Sequence, residues 1–206
     1  DKATDFSPAP EDVSTYTETV VKQTAESFSI KLHQSTQSDN LLHNSSMLEN
    51  MIQSTFNGVV NVTPEKWIVS RKTGSSMTLS EGTGDLKGLY FTNAGNFDGI
   101  YQFASQNTNL SDLKEGDVLT VSFDLYRPDA SLTRLCVWTE EQGYAGIKVD
   151  ELAPVGAWTR LKYTYTYSSD TIRNFIVFNT SGSGTLVSFV IRNIKLEYGE
   201  FATGWC

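Results

Sequence analysis

Two hydrophobic periods divide the chain. From Glu11 to about Gln37 there is no Gly or Pro, and apolar positions recur at helical spacing. Val13, Tyr16, Val20 and Thr24 form one stripe, and Val21, Ala25, Phe28 and Leu32 form an adjoining one. Pro10-Glu11-Asp12 puts a proline and two acids where a first helical turn favours them. The spacing predicts a helix over residues 10–37, about 35–40 Å long at roughly 1.5 Å per residue. Its remaining positions are mostly Thr, Ser, Glu, Lys and Gln, so the apolar face is narrow. Such a helix buries that face either along the following domain or against copies of itself, and a coiled-coil-like stalk is the expectation. The polar residues 1–9 read as a linker.

After a polar break the period changes to two. Leu119, Val121, Phe123 and Leu125 alternate with Thr120, Ser122, Asp124 and Tyr126. Leu135 and Val137 alternate with Arg134, Cys136 and Trp138, and Leu161, Tyr163, Tyr165 and Tyr167 with Lys162, Thr164 and Thr166. Phe175–Phe178 is a short mixed run, and Leu186–Leu196 a long one with an irregularity at Arg192-Asn193. Shorter runs lie around Met77–Leu79, Gly88–Thr92 and Ile100–Ala104. Turn-forming clusters separate them at Asn93–Asn96, Lys114–Asp117, Pro128-Asp129 and Ser181–Gly184. Some eight or nine strands at this spacing predict a sandwich of two antiparallel sheets, each with one buried and one exposed face.

Composition narrows the chemistry. The 206 residues suffice for one domain with an appendage, and aromatic residues make up 12%. The formal net charge is −8, with Lys and Arg scattered along the chain. That argues against nucleic acid and against an electrostatic membrane anchor. No apolar run approaches the roughly 18 residues of a membrane span. His33 and His43 are the two histidines and neither has a Cys, Asp or Ser partner nearby in sequence, so a catalytic triad or a His-rich metal site is not expected. The Glu140-Glu141 and Asp150-Glu151 pairs are the visible carboxylate pairs, and turns collect acids without catalysis. The chain is expected not to be an enzyme. Cys136 and Cys206 have no metal spacing and could form one disulfide.

Several segments carry a resemblance. Asn40-Leu-Leu-His-Asn-Ser45 opens the β region, and Leu113-Lys-Glu-Gly-Asp-Val-Leu-Thr-Val-Ser-Phe-Asp124 occupies its middle. Trp158-Thr-Arg-Leu-Lys-Tyr-Thr-Tyr-Thr166 follows, and Ile191-Arg-Asn-Ile-Lys-Leu-Glu-Tyr-Gly-Glu-Phe-Ala-Thr-Gly-Trp205 closes it. Residues 40–206 thereby resemble the jelly-roll carbohydrate-binding modules of tail and baseplate proteins from phages of Gram-positive bacteria. The resemblance implies a mainly β, two-sheet antiparallel jelly roll preceded by the N-terminal α-helical stalk. It also implies host cell-wall polysaccharide as ligand, a homotrimer, other tail or baseplate proteins as neighbours, and a place on the virion tail tip. Lys2-Ala-Thr-Asp-Phe-Ser7 echoes Phe201-Ala-Thr-Gly-Trp-Cys206, so the opening residues are expected to end a similar preceding module. Related modules often hold a structural calcium; Glu49 and Glu197 are the oxygens this chain could offer.

Sugar rings present apolar C–H faces and rims of hydroxyls, so a site needs aromatic platforms ringed by amides, carboxylates and guanidinium groups. Alternation turns Asp124 and Tyr126, and Arg134 and Trp138, away from Leu125 and Val137. The expected saccharide site is Trp138 and Tyr144 as platforms, with Tyr126, Asp124, Arg134 and Glu140 around them. Trp158 is expected in the core, Trp205 at the end of the sandwich, and Tyr163, Tyr165 and Tyr167 in the core with hydroxyls at its rim. Two other readings stay open: a spacer or trimer-stabilising domain of a tail fibre without ligand, and a carbohydrate-binding module of a secreted bacterial enzyme.

Overall fold

A computed structural model of the chain describes residues 40–56, 58–139, 146–168 and 174–205. The expected linker over 1–9 and helical stalk over 10–37 lie outside them, as do Glu140, Tyr144 and Cys206. The alternating runs become strands: β1 (Met51–Phe56), β2 (Val59–Pro64), β3 (Ile68–Ser70), β4 (Thr78–Glu81), β5 (Leu89–Ala94) and β6 (Gly99–Phe103). They continue as β7 (Val118–Tyr126), β8 (Arg134–Thr139), β9 (Ile147–Lys148), β10 (Trp158–Thr166), β11 (Asn174–Asn179) and β12 (Val187–Tyr198). Among the described residues there are twelve strands, against the expected eight or nine. The additional ones include a separate antiparallel ribbon, β1–β2, and the short β9.

The first sheet has the order β10-β7-β12-β5-β4 and the second β3-β6-β11-β8-β9. The antiparallel pairs β5/β12, β6/β11, β7/β10 and β8/β9 alternate between the two sheets. That winding is the jelly roll the resemblance implied. One hydrophobic core lies between the sheets. From the first sheet it takes Leu119, Val121, Phe123 and Leu125 and the stacked rings of Phe91 and Phe189, 4.3 Å apart. From the second it takes Ile100, Val137, Phe175 and Val177. Each such side chain contributes about 1.5–3 kcal/mol when removed from water. The Asn179 amide crosses the core to donate to the Ala94 carbonyl at 3.0 Å. Cys136 is buried, which pushes its thiol well above the usual range. No helix among the described residues is long and apolar enough to cross a membrane.

β12 is the spine of the first sheet. Its first half pairs with β5 and most of its length with β7, and the register shifts between Arg192 and Lys195. Asn193 sits at that shift with φ 52°, a left-handed conformation asparagine tolerates better than most residues. Beyond it, where β5 has ended, the opening segment of the domain takes β5's place. Asn193 N–H donates to Ser46 O (3.0 Å), Ile194 N–H to Ser45 O (2.8 Å) and Leu41 N–H to Leu196 O (2.8 Å). The Asn40 side chain closes the junction: its Oδ1 accepts from the N–H of Leu196 and Leu42, and its amide donates to Ile194 O and Ser45 Oγ.

The same strand anchors the closing motif. Glu197 and Lys195 are buried on the outer side of β12 and pair at 3.2 Å. Glu197 also accepts from Thr203 N–H (2.8 Å) and Thr203 Oγ1–H (2.7 Å), and Lys195 Nζ reaches Thr203 Oγ1 and Gly204 O. Trp205 is half-buried and outside the core cluster, and Phe201 is 67% exposed, so neither plugs the sandwich.

A buried pair that loses one partner leaves an uncompensated charge. Glu197→Ala is expected to lower the unfolding free energy by about 3–5 kcal/mol. Replacing both residues with apolar ones of similar volume costs less than that single change. Urea unfolding of the two variants beside the parent measures the difference.

Candidate functional site

β7 and β8 follow one another in sequence but lie in different sheets. Outward-pointing residues on the two strands therefore face opposite sides of the sandwich. Asp124 and Tyr126 occupy the outer face of the first sheet, registered with Arg160 and Trp158 of β10. Arg134 and Trp138 belong to the second sheet, where Trp138 registers with Ile176, and Ile176 with Tyr101, on the side opposite Val137 and Val177. The four described members of the expected group do not converge on one site. Tyr144 and Glu140 are the two outside the described residues.

The outer face of the first sheet carries a polar network centred on Asp124. Asp124 Oδ1 accepts from Arg160 at 3.1 Å, and Oδ2 from the Asn193 amide at 2.8 Å, with Arg192 Nε at 3.5 Å. Arg160 also donates to Ser122 Oγ (2.8 Å) and Asn193 O (2.7 Å). Trp158, expected in the core, is half-buried on this face. Its ring lies 3.9 Å from the Arg192 guanidinium and 5.7 Å from the Tyr126 ring, and its Nε1–H donates to Asp85 O at 2.9 Å. A carboxylate with this many internal donors serves the fold.

The open edge of the sandwich is built differently. β9 has two residues and pairs with Arg134 and Leu135 alone. Beyond Leu135, β8 has no β9 neighbour. At this edge the indole of Trp138 stacks on Tyr163 of β10, with ring centroids 5.5 Å apart and planes 28° apart. Tyr163 stacks in turn on Tyr165, at 6.3 Å and 25°. Trp138 is 5% exposed and Tyr165 9%, whereas Tyr163 is 45% exposed. Trp138 is thus a backing ring rather than the surface platform expected of it. Tyr167 is buried as anticipated, but Tyr163 leaves the core stripe for solvent. Alternation alone places Tyr163 beside Tyr165 and cannot separate them.

The calcium that the resemblance implied can be tested on its two carboxylates. Glu49 is exposed while both Glu197 oxygens are held by Thr203 and Lys195, so this pair does not fit the calcium the resemblance offered. Among the described residues no three His, Cys, Asp or Glu side chains are grouped to hold a metal ion. The His43 ring is exposed, and its backbone carbonyl accepts from Trp67 Nε1 and Gln102 Nε2.

No protein-family profile and no curated protein matches the chain. Among solved structures it is similar to the CBM22-1 xylan-binding domain of Paenibacillus barcinonensis Xyn10C, with 13% identity, 81% of this chain and 99% of that one covered, and a TM-score of 0.48. It is similar to the enzymatically active domain of bacteriophage CBA120 tailspike protein 4, at 16% identity, 78% and 21% coverage and a TM-score of 0.48. It is also similar to the family 11 carbohydrate-binding module of Lic26A-Cel5E from Clostridium thermocellum, at 16% identity, 80% and 96% coverage and a TM-score of 0.41. At these identities and scores the likenesses carry no weight for the function of this chain.

The polar face yields a direct expectation. Asp124→Ala removes the acceptor for Arg160 and Asn193 and should cost about 1–3 kcal/mol of stability. Chemical denaturation of the variant beside the parent measures the loss.

Proposed function

We propose that the domain is a non-catalytic saccharide-binding module that seats a sugar ring on Tyr163 at the open edge. The observation that carries this reading is the exposed Tyr163 ring, which packs against the buried rings of Trp138 and Tyr165. An aromatic face in water is a platform for the apolar C–H face of a sugar. Backing by Trp138 and Tyr165 fixes its orientation before a ligand arrives, so little side-chain entropy is lost on binding.

Within this reading we place the module on a phage tail or baseplate protein that binds the wall polysaccharide of a Gram-positive host, as a homotrimer, on the strength of the opening and closing motifs. A module attached to a secreted bacterial enzyme would use the same edge equally well. The burial of Trp138 and the internal saturation of Asp124 favour a second reading, a ligand-free spacer domain.

Binding separates them. Purified Gram-positive wall polysaccharide and soluble xylan, titrated while tryptophan fluorescence is followed, should give a saturable change because Trp138 touches the platform. Tyr163→Ala should weaken binding by about tenfold or more, the range of an aromatic anchor, and Tyr163→Phe by no more than about threefold. A folded parent that binds neither polysaccharide class supports the spacer. Strain-selective binding to wall polysaccharide supports the tail protein, and binding to xylan alone the enzyme module.

A further inference from the structure

The loops at one end of the second sheet enclose a cleft that the reading above leaves unused. Ser70, Arg71, Lys72, Phe97 and Phe178 line a cavity of about 270 Å³. A second hollow of about 440 Å³ adjoins it at Lys72 and is walled by Ser75, Ser76, Asn96, Asp98 and Ser183, among others. Ligand pockets begin at about this size.

Two features mark the cleft as built rather than incidental. The first is Phe97. It sits in the turn between β5 and β6 with φ 66°, a conformation that a bulky residue adopts at a cost of about 1–3 kcal/mol. Three backbone and side-chain bonds hold it there: Phe97 N–H to Asn179 O (2.7 Å), Asp98 N–H to Gly95 O (3.0 Å), and Gly95 N–H to Asp98 Oδ2 (2.7 Å). A Gly or Asn would sit in that turn without strain. The second feature is charge. In a chain of net charge −8, Arg71 and Lys72 stand side by side at the cleft. Lys72 Nζ lies 4.7 Å from the Phe97 ring centroid and forms no ion pair among the described residues. The neighbouring carboxylate, Asp98, is buried and turned inward, accepting from Lys72 N–H (3.0 Å), Ser75 Oγ–H (2.5 Å) and Gly95 N–H. It fastens the two loops together, and Lys72 brings a positive charge to the cleft. Partial burial of Arg71 lowers its pKa, while Asp98 opposes that shift and favours the charged form.

We propose that this cleft binds a sugar carrying an oxyanion, either a carboxylate or a phosphate substituent, with Arg71 and Lys72 meeting the charge and Phe97 and Phe178 forming the floor under the ring. Guanidinium and ammonium donors recognise such oxygens through charge-assisted hydrogen bonds. The cleft shares no residue with the Trp138–Tyr163 edge, so the two sites stand or fall separately.

An amide-resolved NMR titration of the whole chain tests it. The probes are methyl β-D-glucuronide, glycerol 3-phosphate and the neutral methyl β-D-glucoside. The anionic probes should shift the amides of residues 70–72 and 96–98, and the glucoside should leave them in place. Arg71→Gln with Lys72→Gln should weaken the response by about tenfold or more, as should salt raised to several times the physiological level. Phe97→Asn suits the left-handed turn, so the fold persists while the response falls by a similar factor. A response to glucuronide alone identifies a carboxylated sugar, and one to glycerol 3-phosphate alone a phosphate-bearing glycan. Equal shifts with the glucoside, shifts unchanged in the double variant, or no shift at these amides with about 50 mM of either anion would overturn the proposal.

Discussion

One extra residue in β12 holds the architecture together. The side chains of a strand alternate strictly, so an uninterrupted strand past Arg192 would turn Lys195 and Glu197 into the core and Leu196 out to solvent. The irregularity between Arg192 and Lys195, with Asn193 in the left-handed region, restores the parity. Ile194 and Leu196 then enter the core, while Lys195 and Glu197 face outward onto the closing motif. The kink also opens the edge at which Leu41 and Ser45-Ser46 pair with β12. Both ends of the domain are thus fastened to a single strand at a single irregular point. The Asn193 amide and carbonyl tie that point to Asp124 and Arg160, which makes the polar face of the first sheet an extension of the same joint.

The open edge arises from an opposite economy. A jelly roll covers each outer strand of one sheet with the outer strand of the other. Here β9 is two residues long while β10 has nine. Among the described residues the inner face of β10 therefore outruns β9. Leu161 and Tyr167 remain buried, but Tyr163 is 45% exposed. An exposed aromatic there would ordinarily be a liability. Stacking on Trp138 and Tyr165 buries both neighbours and leaves one ring face as the cost. Charged and hydroxyl side chains along the rest of β10, namely Arg160, Lys162, Thr164 and Thr166, also guard that edge against pairing with another strand.

Much of this was legible in the residues. The strict alternation of β7 and β10 and the irregularity at Arg192-Asn193 were visible as patterns, because burial on one face imposes a period of two. The ribbon β1–β2 was not anticipated, although Asn57-Gly58 between alternating residues is a strong hairpin signal. What alternation cannot supply is the sheet to which each strand belongs. It correctly turned Asp124 and Trp138 away from Leu125 and Val137, yet the crossing between β7 and β8 sends them to opposite sides of the molecule. Tyr163 was hidden for a related reason: its exposure depends on the length of β9, a strand remote in the sheet order. Phe97 carried no signal, since a turn sequence of Gly95-Asn96-Phe97-Asp98 does not reveal which residue takes the left-handed position.

The placement of cations separates scaffold from recognition surface. Arg160 and Arg192 are engaged by Asp124, Lys195 by Glu197, and the buried Arg127 donates to the Ala153 carbonyl at 2.6 Å. These groups hold elements together, and their charge is consumed within the fold. Lys72 differs: it forms no ion pair among the described residues, and the carboxylate of Asp98 beside it is satisfied by neutral donors on the two loops it joins. In an acidic chain the long-range field disfavours anions, so only a short-range arrangement of this kind can admit one. The strained turn at Phe97 sets an aromatic ring beside that charge. An apolar floor next to a cation is complementary to a charged sugar and to neither a simple ion nor a neutral chain, and the selectivity follows from asking both features of the same ligand.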